Sequence, residues 1–131
     1  MIGLDANILV RYLAQDNPVQ SPIATELIER RLTGEEPGFV SIVAMAETVW
    51  VLKRVYRLKA HAIAAVVETM LQTVSLVVES EREVFLALTA LRDGRGEFAD
   101  ALIGALCEKA GCARVLSFDR GTLRLPGFEH P

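Results

Sequence analysis

Met1-Ile2-Gly3-Leu4-Asp5-Ala6-Asn7-Ile8-Leu9-Val10-Arg11-Tyr12-Leu13 decides the fold. A short apolar run, residues 2 to 4, reads as a buried strand. It meets an acid at Asp5, and the apolar spacing of Ile8, Leu9, Val10, Tyr12 and Leu13 then reads as a short helix that ends before Asn17-Pro18. The same alternation recurs downstream. Strands are expected at Gly38 to Val40, at Leu76-Val77-Val78, at Ala113 to Ser117 and, as a last edge strand, at Gly127 to Glu129. Helices are expected from Ser21-Pro22 to a stop at Gly34, from Ser41 to about Tyr56, from about Lys59 to Thr73, from Ser80 onward and from about Phe98 to Ala110. Ser80 and Glu83 stand three apart before an apolar run, the spacing of a capping box. Strands that alternate with helices imply an α/β fold on a parallel sheet covered on both faces.

The chain has 131 residues, so one domain spanning residues 1–131 is expected. Hydrophobic residues make up 51% and charged residues 24%, which excludes intrinsic disorder. The longest unbroken apolar run, Ala62 to Val67, is too short to span a bilayer. The first residues hold no basic segment, so no signal peptide is expected and a cytoplasmic location follows. Cys107 and Cys112 read as free thiols, small and buried. Net charge is −3, which is not the global footprint of a nucleic-acid binder. Such a partner would need local cations, among them Arg30-Arg31, Lys53-Arg54, Arg92 and Arg95, or metal ions bridging acid to phosphate.

In parallel sheets, ligands bind beyond the carboxyl ends of the strands. Four acids sit in apolar surroundings near such places. Asp5 ends the first strand and Asp119 ends the fourth, after Val115-Leu116-Ser117-Phe118. Asp100 opens a helix in Phe98-Ala99-Asp100-Ala101-Leu102-Ile103, and Glu47 lies in a helix that is apolar nearly all round and is expected to be buried. Three have a plain structural alternative: Asp5 as a helix cap, Asp100 as a dipole partner, Asp119 as a turn opener; for Glu47 the only alternative is a surface Glu on a helix rim. Taken jointly, the acids are expected to converge at one sheet edge. Carboxylates cannot stay ionised side by side without cations. Only two His are present, so the guest is a hard ion: Mg²⁺, with Mn²⁺ as substitute. Asn7 reads as a helix-start amide or as an orienting group, Ser117 as a strand-end hydroxyl or a site contact, and Arg11 as a solvent-facing cation or a phosphate contact.

These stretches resemble a known family. Leu4 to Leu13 is similar to the opening motif of PIN-domain nucleases, and most similar within them to VapC-type toxins of bacterial toxin–antitoxin pairs. Ala46-Glu47 with Val49 to Leu52 resembles the second motif, Phe98 to Ile103 the third and Ser117-Phe118-Asp119-Arg120 the fourth. Ala6 departs from the Thr or Ser of many relatives, and Glu97 stands where relatives often carry Asp. The resemblance implies a three-layer α/β/α sandwich that cuts RNA with Mg²⁺ or Mn²⁺. Asp5, Glu47, Asp100 and Asp119 would hold the metal, and Asn7, Glu97 and Ser117 would assist. It also implies a small antitoxin partner and a homodimer; the helix from Ala62 to Leu71, with Val66, Val67 and Met70, reads as core packing or as a candidate contact. Glu97 has a second reading, as a carboxylate complementing the helix dipole.

Four other readings compete. A haloacid-dehalogenase-type phosphatase wants a second Asp two residues after the first, where this chain has Asn7, and a receiver domain wants an acid pair that is absent. A PIN fold that binds RNA or a partner without cutting would not need all four acids. An RNA-processing nuclease without an antitoxin fits the same residues.

Overall fold

The computed structural model describes residues 1–131, which divide into two compact units, Met1–Ser80 and Glu81–Pro131. In the first unit, strands β1 (Ile2–Gly3), β2 (Gly38–Val40) and β3 (Leu76–Val78) form a parallel sheet in the order β1-β2-β3. Helices α1 (Ala6–Ala14) and α2 (Gln20–Glu26) connect β1 to β2, and α3 (Ile42–Arg54) and α4 (Ala60–Gln72) connect β2 to β3. In the second unit, α5 (Glu81–Arg92) and α6 (Phe98–Lys109) precede a two-stranded parallel ladder of β4 (Val115–Leu116) and β5 (Phe128–Glu129). Every pairing is parallel, as the alternation of strands and helices implies, and the fold is α/β. No helix is long and apolar enough to cross a membrane.

Apolar burial builds each unit. In the first, Leu9, Val40, Met45, Leu52, Ile63 and Val67 are at most 2% exposed, and Val10 and Leu4 are buried beside them at 5% and 6%. Fully burying such side chains contributes roughly 1.5–3 kcal/mol each. Gly38 is required by this packing, because a Cβ there would stand 2.7 Å from Leu4 Cδ1 and 2.8 Å from Leu32 Cδ1. In the second unit Val84, Leu88, Phe98 and Leu102 are buried. Gly104 lets α6 lie against β5, since a Cβ there would meet Phe128 Cε2 at 2.8 Å.

Several local expectations change. Ser21 is not the cap of α2. Its buried hydroxyl donates to the Arg11 carbonyl at 2.7 Å, and Asn17 Oδ1 starts the helix by accepting from Val19 N and Gln20 N at 3.0 and 2.8 Å. The helix also stops before Gly34: it widens into a π turn over Leu27–Arg31, closed by Leu32 N donating to the Leu27 carbonyl. Ser80 adopts φ 51°, not the extended backbone of a capping box. Val67 and Met70 lie in the core, so for them the packing reading of α4 holds and the contact reading does not. Cys112 is exposed and Cys107 half-buried, where two small buried residues were expected; both are free thiols.

Candidate active site

In the first unit, the site starts where β1 runs out. Leu4 N makes the last ladder bond, to the Phe39 carbonyl, and the chain then turns into α1. Asp5 takes extended backbone and caps that helix, its Oδ1 accepting from Ala6 N at 2.8 Å. The cap reading of Asp5 therefore holds, and it fixes the carboxylate at the positive end of α1. Ala6, Leu9 and Val10 bury the inner face of α1. Asn7 and Arg11, one helical turn apart, share another face.

Glu47 comes from α3, whose start is held twice. Ser41 Oγ accepts from Ala44 N at 3.1 Å, and Glu79 Oε1 accepts from Ile42 N at 2.8 Å. Glu79 is a positioning residue that the sequence did not disclose, because its partner lies 37 residues away. The expectation that Glu47 is buried fails. The helix buries Ala44, Met45, Thr48, Val49 and Leu52, while Val43 and Trp50 are 74% and 58% exposed and Glu47 is exposed too. An apolar helix need not be surrounded, so Glu47 needs no neutralising partner in a core. Thr48, the other polar residue of that stretch, is buried and donates to the Ala44 carbonyl at 2.7 Å.

Asp5 and Glu47 line one open cavity of about 340 Å³, together with Ala6, Asn7, Val10, Arg11, Val51, Val55 and Tyr56. At its wall Arg11 donates from Nε to Gln20 Oε1 at 2.8 Å, and its Nη1 lies 3.4 Å from the Tyr56 hydroxyl and 3.6 Å from Asp16 Oδ1. Gln20, Tyr56 and Asp16 were not anticipated; only their partnership with Arg11 brings them here. The Tyr56 phenol is held above its ordinary pKa, first by its hydrogen bond to Asp16, then by burial and by the Asp16 charge, with Arg11 opposing.

The remaining acids lie in the second unit. Glu97 stands at the N-cap of α6 without capping it through its side chain, and half-buried Asp100 lies in the first turn. Asp119 follows β4 and opens a turn: its Oδ1 accepts from Gly121 N at 2.8 Å and its carbonyl from the Thr122 hydroxyl at 2.7 Å. Ser117 Oγ accepts from Asp119 N at 3.0 Å, so Ser117 shapes the Asp119 loop. The turn continues to Leu125, and a Cβ on Gly96 would stand 3.0 Å from Leu125 Cδ2. Gly96 thus lets the start of α6 lie against the turn that Asp119 opens.

The donor chemistry suits a small hard cation. The first unit's cavity has two carboxylates and one amide, all oxygen donors, and neither His nor Cys lines it. No group of three or more His, Cys, Asp or Glu side chains forms a ready cage. Mg²⁺ does not require one, since it binds through one or two carboxylates and keeps several waters.

No curated protein matches this chain. The model of the PIN domain family matches residues 2–127, nearly the whole sequence, and the chain therefore belongs to the PIN-domain family, whose fold is a nuclease fold.

Proposed function

We propose that this PIN-domain chain is a divalent-metal-dependent endoribonuclease, the toxin of a VapC-type toxin–antitoxin pair. The observation that carries the reading is the shared cavity of Asp5 and Glu47, the acids of the first and second motifs, with Asn7 on its wall. Asp100 and Asp119, the acids of the third and fourth motifs, are the further metal-serving carboxylates, with Glu97 and Ser117 as auxiliary groups. Mg²⁺, or Mn²⁺ in its place, lowers the pKa of a bound water and stabilises charge on phosphoryl oxygens. The chain's own residues supply position. Asp5 accepts from Ala6 N, Glu47 is carried by a helix whose start is doubly held, and Asn7 on the same cavity wall serves to orient a carboxylate or the substrate. Hydrolysis by in-line attack leaves a 5′-phosphate and a 3′-hydroxyl. The antitoxin and the homodimer follow from the resemblance of the motifs, and residues 1–131 serve as one cytoplasmic nuclease domain.

Cleavage of structured RNA in separate Mg²⁺, Mn²⁺ and EDTA reactions tests the reading, with a DNA of the same sequence alongside. RNA cleavage that needs the metal and is lost in Glu47→Gln is expected. Cleavage that survives EDTA and is equal in Glu47→Gln overturns it.

A further inference from the structure

Arg11 is the one cation on the wall of the cavity that Asp5 and Glu47 share, and it is set there by more contacts than an ion pair needs. Its Nε is taken by Gln20 at 2.8 Å. Its Nη1 faces Tyr56 and Asp16 at 3.4 and 3.6 Å. Nη2 has no partner within the protein. Nε and Nη1 are thus engaged and Nη2 is not, in a side chain that is 27% exposed. The plain alternative is a strap that neutralises Asp16. Asp16, however, takes its short hydrogen bond from the Tyr56 hydroxyl, at 2.7 Å to Oδ2, while Arg11 stands 3.6 Å from Oδ1, so the ion pair is loose and does not use the whole guanidinium. A pre-organised guanidinium is well suited to phosphate oxygens, because little freedom is lost on binding. The chain carries a net charge of −3, so an anionic substrate that approaches two carboxylates needs a local cation of this kind.

We propose that Arg11 is a phosphate-binding residue: its Nη2 holds a non-bridging oxygen of an RNA backbone phosphate beside the scissile one. Gln20 and Tyr56 act through Arg11 as positioning residues. The proposal rests on the nuclease reading above and adds to it the subsite that guides the single strand into the cavity.

The test measures binding of a labelled single-stranded RNA by fluorescence anisotropy, in Ca²⁺, from 50 to 200 mM KCl, with melting temperatures recorded for every variant. Arg11→Gln is expected to weaken binding about tenfold and to reduce the steepness of log K against log salt by about 0.7, one single-strand phosphate contact. Arg11→Lys is expected to keep the salt slope while binding several-fold more weakly, because the charge remains and the fork is lost. Asp16→Asn is expected to tighten binding by freeing the guanidinium, beyond any gain in the charge-matched control Glu36→Gln. A folded Arg11→Gln with the wild-type slope overturns the proposal. If Arg11→Gln does not fold, an Asp16→Asn that binds no better than Glu36→Gln overturns it instead. Wild-type protein that binds no RNA at any salt overturns the nuclease reading along with it, whereas wild-type cleavage with an unchanged Arg11→Gln slope overturns the Arg11 assignment alone.

Discussion

The Tyr56 hydroxyl donates to Asp16 Oδ2 at 2.7 Å, across 40 residues of sequence. That bond ties the chain just after α3 to the loop just after α1, and these two helices carry Glu47 and Asp5. The two acids of the cavity therefore depend on a link that lies at its far wall. The bond also has a pH signature. The folded pKa of Tyr56 is raised above its ordinary 10.0, chiefly by the hydrogen bond to Asp16, so the stabilisation is fully present below pH 10 and is lost as pH rises through the folded value.

Tyr56→Phe is expected to lower stability at pH 7 by about 0.5–1 kcal/mol, a typical hydrogen-bond contribution at a partly exposed site. The gap to wild type should close as pH rises above 10.0, through the raised folded value, and the wild-type phenol ionises beside Asp16. Urea denaturation of both proteins at neutral and alkaline pH measures this. A gap that stays constant over that range would place the effect in packing of the ring.

Asp5 has two duties that can be separated. Asn retains the capping oxygen, so Asp5→Asn should stay within about 0.5 kcal/mol of wild type while cleaving at least about 100-fold more slowly. Asp5→Ala should lose about 1 kcal/mol in addition. Parallel denaturation and cleavage measurements check the pair, and an Asp5→Asn as active as wild type removes Asp5 from the site.

Metal binding should appear as stability. Mg²⁺ at ten or more times its dissociation constant is expected to stabilise wild type by roughly 1–2 kcal/mol. Asp5→Asn combined with Glu47→Gln should lose that response. Thermal melting with and without Mg²⁺ is the measurement, and an equal response in both proteins would place the ion elsewhere.

Glu83 carries an acid-side prediction. It is 4% exposed, and Arg82 and Lys109 lie 3.3 and 3.4 Å from its carboxylate oxygens. Burial pushes its pKa up, but the hydrogen bonds from Lys109 and Arg82 and the Lys109 charge outweigh that and hold it below 4.5. A lowered folded pKa stabilises above the unfolded value and is lost as pH falls through the folded one. Glu83→Gln should therefore be less stable than wild type at pH 7, with the difference shrinking below pH 4.5. Melting curves from neutral to acid pH decide it.

Gly38→Ala is expected to cost about 1–3 kcal/mol, because the added methyl would overlap Leu4 and Leu32, both buried with little room to move. The denaturation midpoint in urea reports this, and cleavage per folded molecule should be retained.

The five strands stand where short apolar runs between breakers put them, and Ser41 and Asp5 cap their helices as their residue types imply. Those features are local: a strand or a cap depends on neighbours a few residues away, which a sequence displays directly. Asp119 as a turn opener was legible for the same reason. Ser21 was misread because the helix begins one residue earlier, at Gln20, behind an Asn17 that takes the Val19 and Gln20 donors, and the Ser21 hydroxyl turns instead to the Arg11 carbonyl.

The order of motifs from Asp5 through Glu47 and Asp100 to Asp119 was determined by sequence alone, and so was the parallel α/β class. What only tertiary structure decided is which side of each helix meets a neighbour and which distant groups meet each other. Composition showed α3 as apolar all round, but only packing shows that Met45 and Leu52 are buried while Trp50 and Glu47 face outward. The linkage of Arg11 with Gln20, Asp16 and Tyr56, and the hold of Glu79 on the start of α3, join residues that no periodicity relates. Burial and long-range hydrogen bonds are properties of a surface formed by the whole chain, so they come into being only when the elements pack.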